Sequence, residues 1–282
     1  MAALLFTAAC AYAGAGIFSS PKKETAELRT AAVAETAELE GIIIRREDPV
    51  MLPEGSEIKA EEGLRISAGG LLARGKENEA VPSPESGTYY RELDGFEYLS
   101  PDMLPSLDGE GLEKLMDAKP MKIPGARGKL LPDFDWYYAA FCDEGSVPEA
   151  GGKCSILFPG FEEPLDARLV SASGEDGGRK LLCFRLKGGG EEYMGLRKTP
   201  AELIFSVHRG LALPSSAVER DGEGNEFVYI CTAAGTKKTA ADIIYEADGL
   251  CLAEGGRDSL LREGGRVAVS ARGREEKRYD NR

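Results

Sequence analysis

The sequence predicts a mainly β protein: a small sandwich, a small closed barrel and a third β domain, with an apolar helix ahead of them. Three observations predict it. Short runs such as Ile42, Ile43 and Ile44, then Glu62-Gly63-Leu64-Arg65-Ile66 and Gly69-Gly70-Leu71-Leu72, stand between turns at Pro53, Glu54 and Gly55 and at glycine. Beyond Arg127, β-forming runs recur with Gly, Glu and Asp between them, the spacing of a closed barrel of short strands. The length, 282 residues, accommodates two to three modest domains.

Residues 1–20 read as a transmembrane anchor or a secretory signal. Ala2 to Phe18 is apolar throughout and is closed by Ser19-Ser20-Pro21-Lys22-Lys23. At 1.5 Å per residue this run reaches roughly 25 Å, the lower limit for a spanning helix. Ala11-Tyr12-Ala13 offers an A-x-A-like cleavage site, the mark of the signal alternative. Residues 21–40 form a linker in which ETAEL occurs at Glu24 and again at Glu35. Ala, Glu and Leu favour a helical stalk, and the spacing keeps Leu28 and Leu39 near one helix face. The competing reading starts the first strand at Thr36 and carries it to Ile44.

Residues 41–99 hold the sandwich, and residues 100–126 are a proline-dense connector with a turn or two of helix over Gly111 to Ala118. The barrel occupies residues 127–207. Its runs are Asp135 to Phe141, with the only tryptophan, then Lys153 to Phe158, Asp166 to Val170, Lys180 to Leu186 and Ala201 to Val207. Residues 208–271 form the third β domain, and residues 272–282 are a charged tail.

The search for chemistry finds no enzyme. With 35 Lys plus Arg against 48 Asp plus Glu the net charge is −13, and no basic cluster is present to replace the counterions of a nucleic acid. One histidine, His208, does not make a metal site or a Ser-His-Asp arrangement, and its place just before a turn reads as structural or surface. Cysteines at 10, 142, 154, 183, 231 and 251 contain no C-x-x-C; four of the five beyond the N-terminal segment fall in or beside β-patterned runs, and buried free thiols are expected there. A Cys142–Cys154 bridge across a hairpin is the alternative in an oxidising exterior. Gly188-Gly189-Gly190 is followed by Glu191-Glu192 instead of a lysine; it fails as a phosphate loop and reads as a hairpin tip. The pairs Glu162-Glu163 and Glu275-Glu276 are adjacent and do not make an acid/base pair. No cofactor or metal site is expected.

Several motifs occur in a fixed order: G-I-I-I-R-x-E from Gly41, E-G-L-R-I-x-x-G-x-L-L-A from Glu62, S-P-x-S-G-x-Y from Ser83 and D-G-F-E from Asp94. Further on stand the Trp136-Tyr137 strand and the step Gly210-Leu211-Ala212-Leu213-Pro214-Ser215-Ser216-Ala217-Val218. This series resembles the HlyD-like periplasmic adaptors, or membrane fusion proteins, in their resistance-nodulation-division-related, Gram-positive form. The resemblance covers roughly Gly41 to Val269. It implies a barrel-sandwich hybrid (biotinyl/lipoyl-like) domain, a β-barrel domain and a membrane-proximal-like β domain. It also implies a non-enzymatic, membrane-anchored efflux or secretion adaptor that forms a homo-oligomer on an inner-membrane transporter permease, with its body outside the cytoplasm. Lys22 and Lys23 would by themselves hold the body inside, so a basic segment ahead of Met1 is expected.

One departure stands out. Only Gly75 to Ala80 separates the two half-motifs, where the family has a long α-helical hairpin. This opens the alternative of a cell-envelope scaffold that uses the same domains without a pump. It also brings forward Lys76, eleven positions before Gly87, as a lipoyl or biotinyl attachment site. Gly75 and Glu77 differ from the neighbours of lipoylated lysines, and a solvated turn lysine is the plain reading.

Overall fold

The computed structural model describes residues 24–143, 151–176, 178–188, 191–255 and 259–269. The apolar N-terminal segment with Cys10, the charged tail and Glu275-Glu276 lie outside these residues. Among the described residues no helix is long and apolar enough to cross a membrane. The chain divides into two compact units, one formed by Ala34–Val207 and the other by Met1–Val33 with His208–Arg282.

Strand β1 (Thr25–Glu27) and strand β2 (Arg29–Ile44) occupy the segment expected as a helical stalk. That expectation is corrected: good helix formers here are overruled by tertiary pairing, because two separate cores each take a leucine from the segment. Leu28 is buried in the core of the unit containing His208–Arg282, and Leu39 in the core of the Ala34–Val207 unit. In an extended chain, eleven residues no longer place them on one face.

The sandwich is built from β3 (Asp48–Met51), β4 (Glu57–Ile58), β5 (Arg65–Ile66), β6 (Leu71–Arg74), β7 (Ala80–Pro82) and β8 (Gly87–Tyr90). Helix α1 (Gly109–Asp117) follows, with the Asp108 side chain accepting the Gly111 N–H at 2.8 Å as its N-cap. Strand β9 (Ala126–Leu131) then returns to the sandwich. Its two sheets have the orders β3-β9-β8-β5 and β4-β6-β7, closed on Val50, Leu72, Tyr89 and Leu130.

The barrel consists of β2 with β10 (Asp135–Asp143), β11 (Lys153–Leu157), β12 (Leu165–Asp176), β13 (Arg179–Lys187) and β14 (Lys198–Pro214). The ladder runs β11-β12-β13-β10-β2-β14, and a β11–β14 pairing closes the ring. Trp136, Tyr138, Phe158 and Phe184 fill its interior. Outside, α1 presses Leu112 onto Ile42, Ile44, Ala139 and Phe141, and the Lys198 ammonium donates to the helix-terminal Met116 carbonyl at 2.6 Å.

Several expectations are redrawn by the pairing. Ile42, Ile43 and Ile44, read as the first sandwich strand, pair with Tyr137 to Ala139 in the barrel. Arg127 to Leu131, read as the start of the barrel, pairs with β3 and β8 in the sandwich. Gly188 is not the tip of a hairpin: β13 pairs with β10 and β12, while β14 pairs with β11 and neighbours β2. Cys142 and Cys154 do not face one another either, since Cys142 is opposite Leu39 and Lys180 and Cys154 is opposite Ala167. Both are free thiols, as are Cys183, Cys231 and Cys251.

The remaining strands are β15 (Glu219–Arg220), β16 (Glu226–Thr232), β17 (Gly235–Ala240), β18 (Asp242–Ala247), β19 (Leu250–Glu254) and β20 (Arg266–Ala268). They form the order β1-β20-β16-β15, with β17 on β16, and the ladder β14-β19-β18. Their core is Leu28, Leu213, Val228, Ile230, Cys251 and Val267. The register left open after Lys237-Lys238 is settled by a bulge between Ile243 and Tyr245.

Candidate functional site

The most densely charged buried place among the described residues is where the barrel hands the chain to the sandwich. Strand β2 ends at Ile44 and β3 begins at Asp48, so Arg45, Arg46 and Glu47 are the whole link. Arg45 and Glu47, two residues apart, both turn inward and are 5% and 4% exposed. Lys129 reaches them from β9 and Arg197 from the residue ahead of β14. Asp94 and Glu97 come from the turn after β8.

Arg197 is the hub. Its Nη2 donates to both Glu47 carboxylate oxygens at 2.8 and 2.7 Å, its Nε to Asp94 Oδ2 at 2.7 Å, and its Nη1 to the Ile43 carbonyl at 3.2 Å. The Ile43 N–H donates back to the Arg197 carbonyl at 2.8 Å, which locks the link to β14. Lys129 Nζ lies 3.1 Å from Glu47 Oε2 and 3.6 Å from Glu97 Oε1. Arg45 donates through Nη2 to the Tyr193 and Leu196 carbonyls at 3.0 and 2.7 Å, and its Nε sits 3.8 Å from Glu47. Three cations therefore face three carboxylates, and burial is compensated by pairing.

The D-G-F-E turn is shaped by its own acids. Glu97 Oε1 accepts the Asp94 N–H at 2.7 Å and Glu97 Oε2 the Gly95 N–H at 3.1 Å, while Asp94 Oδ1 accepts the Phe96 N–H at 3.0 Å. Gly95 has φ +80, and a Cβ there would lie 2.7 Å from Pro120, so only glycine suits the turn.

The electrostatics follow from this packing. Burial pulls Arg45 down to about 10, still charged at neutral pH. Burial alone would lower Arg197 as well, but the charges and hydrogen bonds of Glu47 and Asp94 outweigh it and hold the guanidinium above its ordinary value. For Asp94, burial pushes upward, yet the hydrogen bond and charge of Arg197, helped by Lys129, leave the carboxyl below its ordinary value. A depressed carboxyl stabilises the fold above its unfolded pKa, near 4, and that contribution is lost as pH falls through the lower folded value. Acidification from about pH 5 to about pH 3 is thus expected to lower the urea midpoint, and Asp94→Asn to flatten that part of the profile. An unchanged acid limb in the variant would contradict the assignment.

Glu47, Asp94 and Glu97 bring carboxylate oxygens within 4.8 Å of one another, a spacing that suits a metal ion. Their oxygens are already engaged by Arg197 and Lys129, and a divalent ion would add two positive charges to a balanced set. The arrangement works as a clamp that fastens sandwich to barrel.

The residues singled out in the sequence lie elsewhere. Lys76 is exposed at the tip of the β6–β7 hairpin, where the Gly75 N–H donates to the Glu79 carbonyl at 2.9 Å. Its stem lies on the neighbouring turn: a Cβ on Gly55 would be 2.3 Å from Lys76 Cε. His208 is half-buried on β14 with its ring 5.2 Å from that of Tyr245. Burial pushes Cys154 and Cys251 up to about 11, which suits packed, unreactive thiols.

Sequence reasoning assigned no role to Arg45, Glu47, Asp94, Glu97, Lys129 or Arg197. The signal was present in part, because Arg45 and Glu47 are the charged letters of G-I-I-I-R-x-E, and Asp94 and Glu97 those of D-G-F-E. Lys129 and Arg197 carry no local signal.

No family profile and no curated protein matches the chain. Among solved structures the chain is similar to ZneB from Cupriavidus metallidurans, with 12% sequence identity and a TM-score of 0.35, over 88% of this chain and 92% of that chain.

Proposed function

We propose that this protein is a non-enzymatic adaptor of the membrane-fusion type. It is held to a membrane through its N-terminal segment, its body lies outside the cytoplasm, and copies of it assemble on a transporter permease. The observation that carries this reading is the ionic clamp. The charged letters of two motifs shared with that family, Arg45 and Glu47, Asp94 and Glu97, meet where a split sandwich joins a six-stranded barrel. A buried ionic joint of this kind fixes one domain against the next and needs no catalytic group.

A second reading, a cell-envelope scaffold, is favoured by the tight turn over Gly75 to Glu79, which stands where the adaptors it resembles have a long helical hairpin. Crosslinked pull-down of the full-length protein from native membranes tests the two. A permease among the specific partners is expected for the adaptor; envelope proteins without a permease would establish the scaffold instead. Intact mass of the same material reports on Lys76, where a lipoyl or biotinyl increment would make the protein a carrier.

A further inference from the structure

A groove of about 770 Å³ opens at one end of the barrel, between β2, the end of β10, the turn after β11 and the start of β14. Its volume falls within the range of sites that hold drug-sized ligands. Four carboxylates stand around it: Glu38 and Glu40 on β2, Asp143 ending β10, and Glu202 on β14. Phe161, Pro159 and Pro200 supply apolar surface, with Phe161 held in place by stacking on Tyr193 at 4.2 Å, while Phe141 and Phe158 back the groove from within the packed cores.

Among the described lining residues the one cation is Arg179. Its charge is engaged by Glu113 at 2.7 Å, and it covers the face of the lining residue Phe141 at 4.2 Å. The groove is thus left negative at its edge and apolar in its wall, which matches a bulky cation: charge meets carboxylate, and the apolar body meets Phe161 and the two prolines. A bare divalent metal fits less well. Among the described residues the acidic group that converges within metal-ligating distance is the clamp, not this set.

We propose that this groove binds an organic cation with a bulky apolar body. The site belongs to the barrel alone, so it stands or fails separately from the adaptor reading.

The test uses tetraphenylphosphonium as probe and tetraphenylborate as its isostere of opposite charge, in calorimetric titrations of the full chain. The phosphonium is expected to bind at one site and the borate not to bind. The pair Glu38→Gln with Glu202→Gln should weaken phosphonium binding roughly tenfold, the scale set by two exposed charge contacts. Glu54→Gln with Glu77→Gln removes the same charge from an exposed part of the sandwich and should leave the affinity unchanged. Matched unfolding curves for both variants keep folding out of the comparison. Absence of phosphonium binding, equal binding of the borate, an unaffected Glu38/Glu202 variant, or equal weakening in the Glu54/Glu77 control would each overturn the proposal.

Discussion

Arg197→Met is expected to lower the stability of the Ala34–Val207 unit by about 3–5 kcal/mol, the cost of leaving a buried carboxylate without its partner. The methionine retains most of the volume, so what is lost is charge and hydrogen bonding. Glu47 loses its bidentate partner and Asp94 its Nε donor, while Lys129 and Arg45 are left to serve three acids. Chemical denaturation followed by circular dichroism gives the change directly. The clamp makes a sharper statement about the double variant. Adding Glu47→Gln to Arg197→Met restores the charge balance, two cations to two acids, with Lys129 beside Asp94 and Glu97 and Arg45 in the field of Asp94. The double variant should therefore recover part of the lost stability, a coupling that independent sites do not show. Simple addition of the two losses would mean that the six side chains do not act as one network.

Gly41→Ala is expected to cost about 3 kcal/mol, toward the upper end for overpacking. Gly41 stands opposite Ala140 where β2 crosses β10, with the same side-chain parity as the interior residues Leu39 and Ile43. A Cβ at this position would lie 2.2 Å from the Ala139 carbonyl oxygen and 2.5 Å from the Ala140 side chain. One of those obstacles is backbone, so the strain is relieved only by moving β2 away from β10. Ile42, Ile43 and Ile44 follow immediately and are fully buried. Displacement would carry them, and the clamp residues beyond, out of register. The urea midpoint should fall with little change in slope. An alanine variant as stable as the parent would show that the two strands separate more easily than their packing indicates.

The two expectations also separate what was legible in the residues from what was not. β-Forming runs set between glycine turns and the Trp136 strand belong to local composition and spacing, and from these the mainly β class followed. The sequence by itself determined where most of the strands form. Assignment of strands to sheets is a different matter, because a strand carries its periodicity but not the identity of its neighbour. For that reason Ile42 to Ile44 joined the barrel, Arg127 to Leu131 joined the sandwich, and the helix-favouring ETAEL segment became β1 and β2. The clamp is decided in the same way. Arg45 and Arg197 are far apart in the chain and ordinary as isolated arginines; what gives them a role is the pairing of Ile43 with Arg197 and the return of β9 with Lys129. Charge can be read from a sequence, but burial and partnership arise only when distant strands close around it.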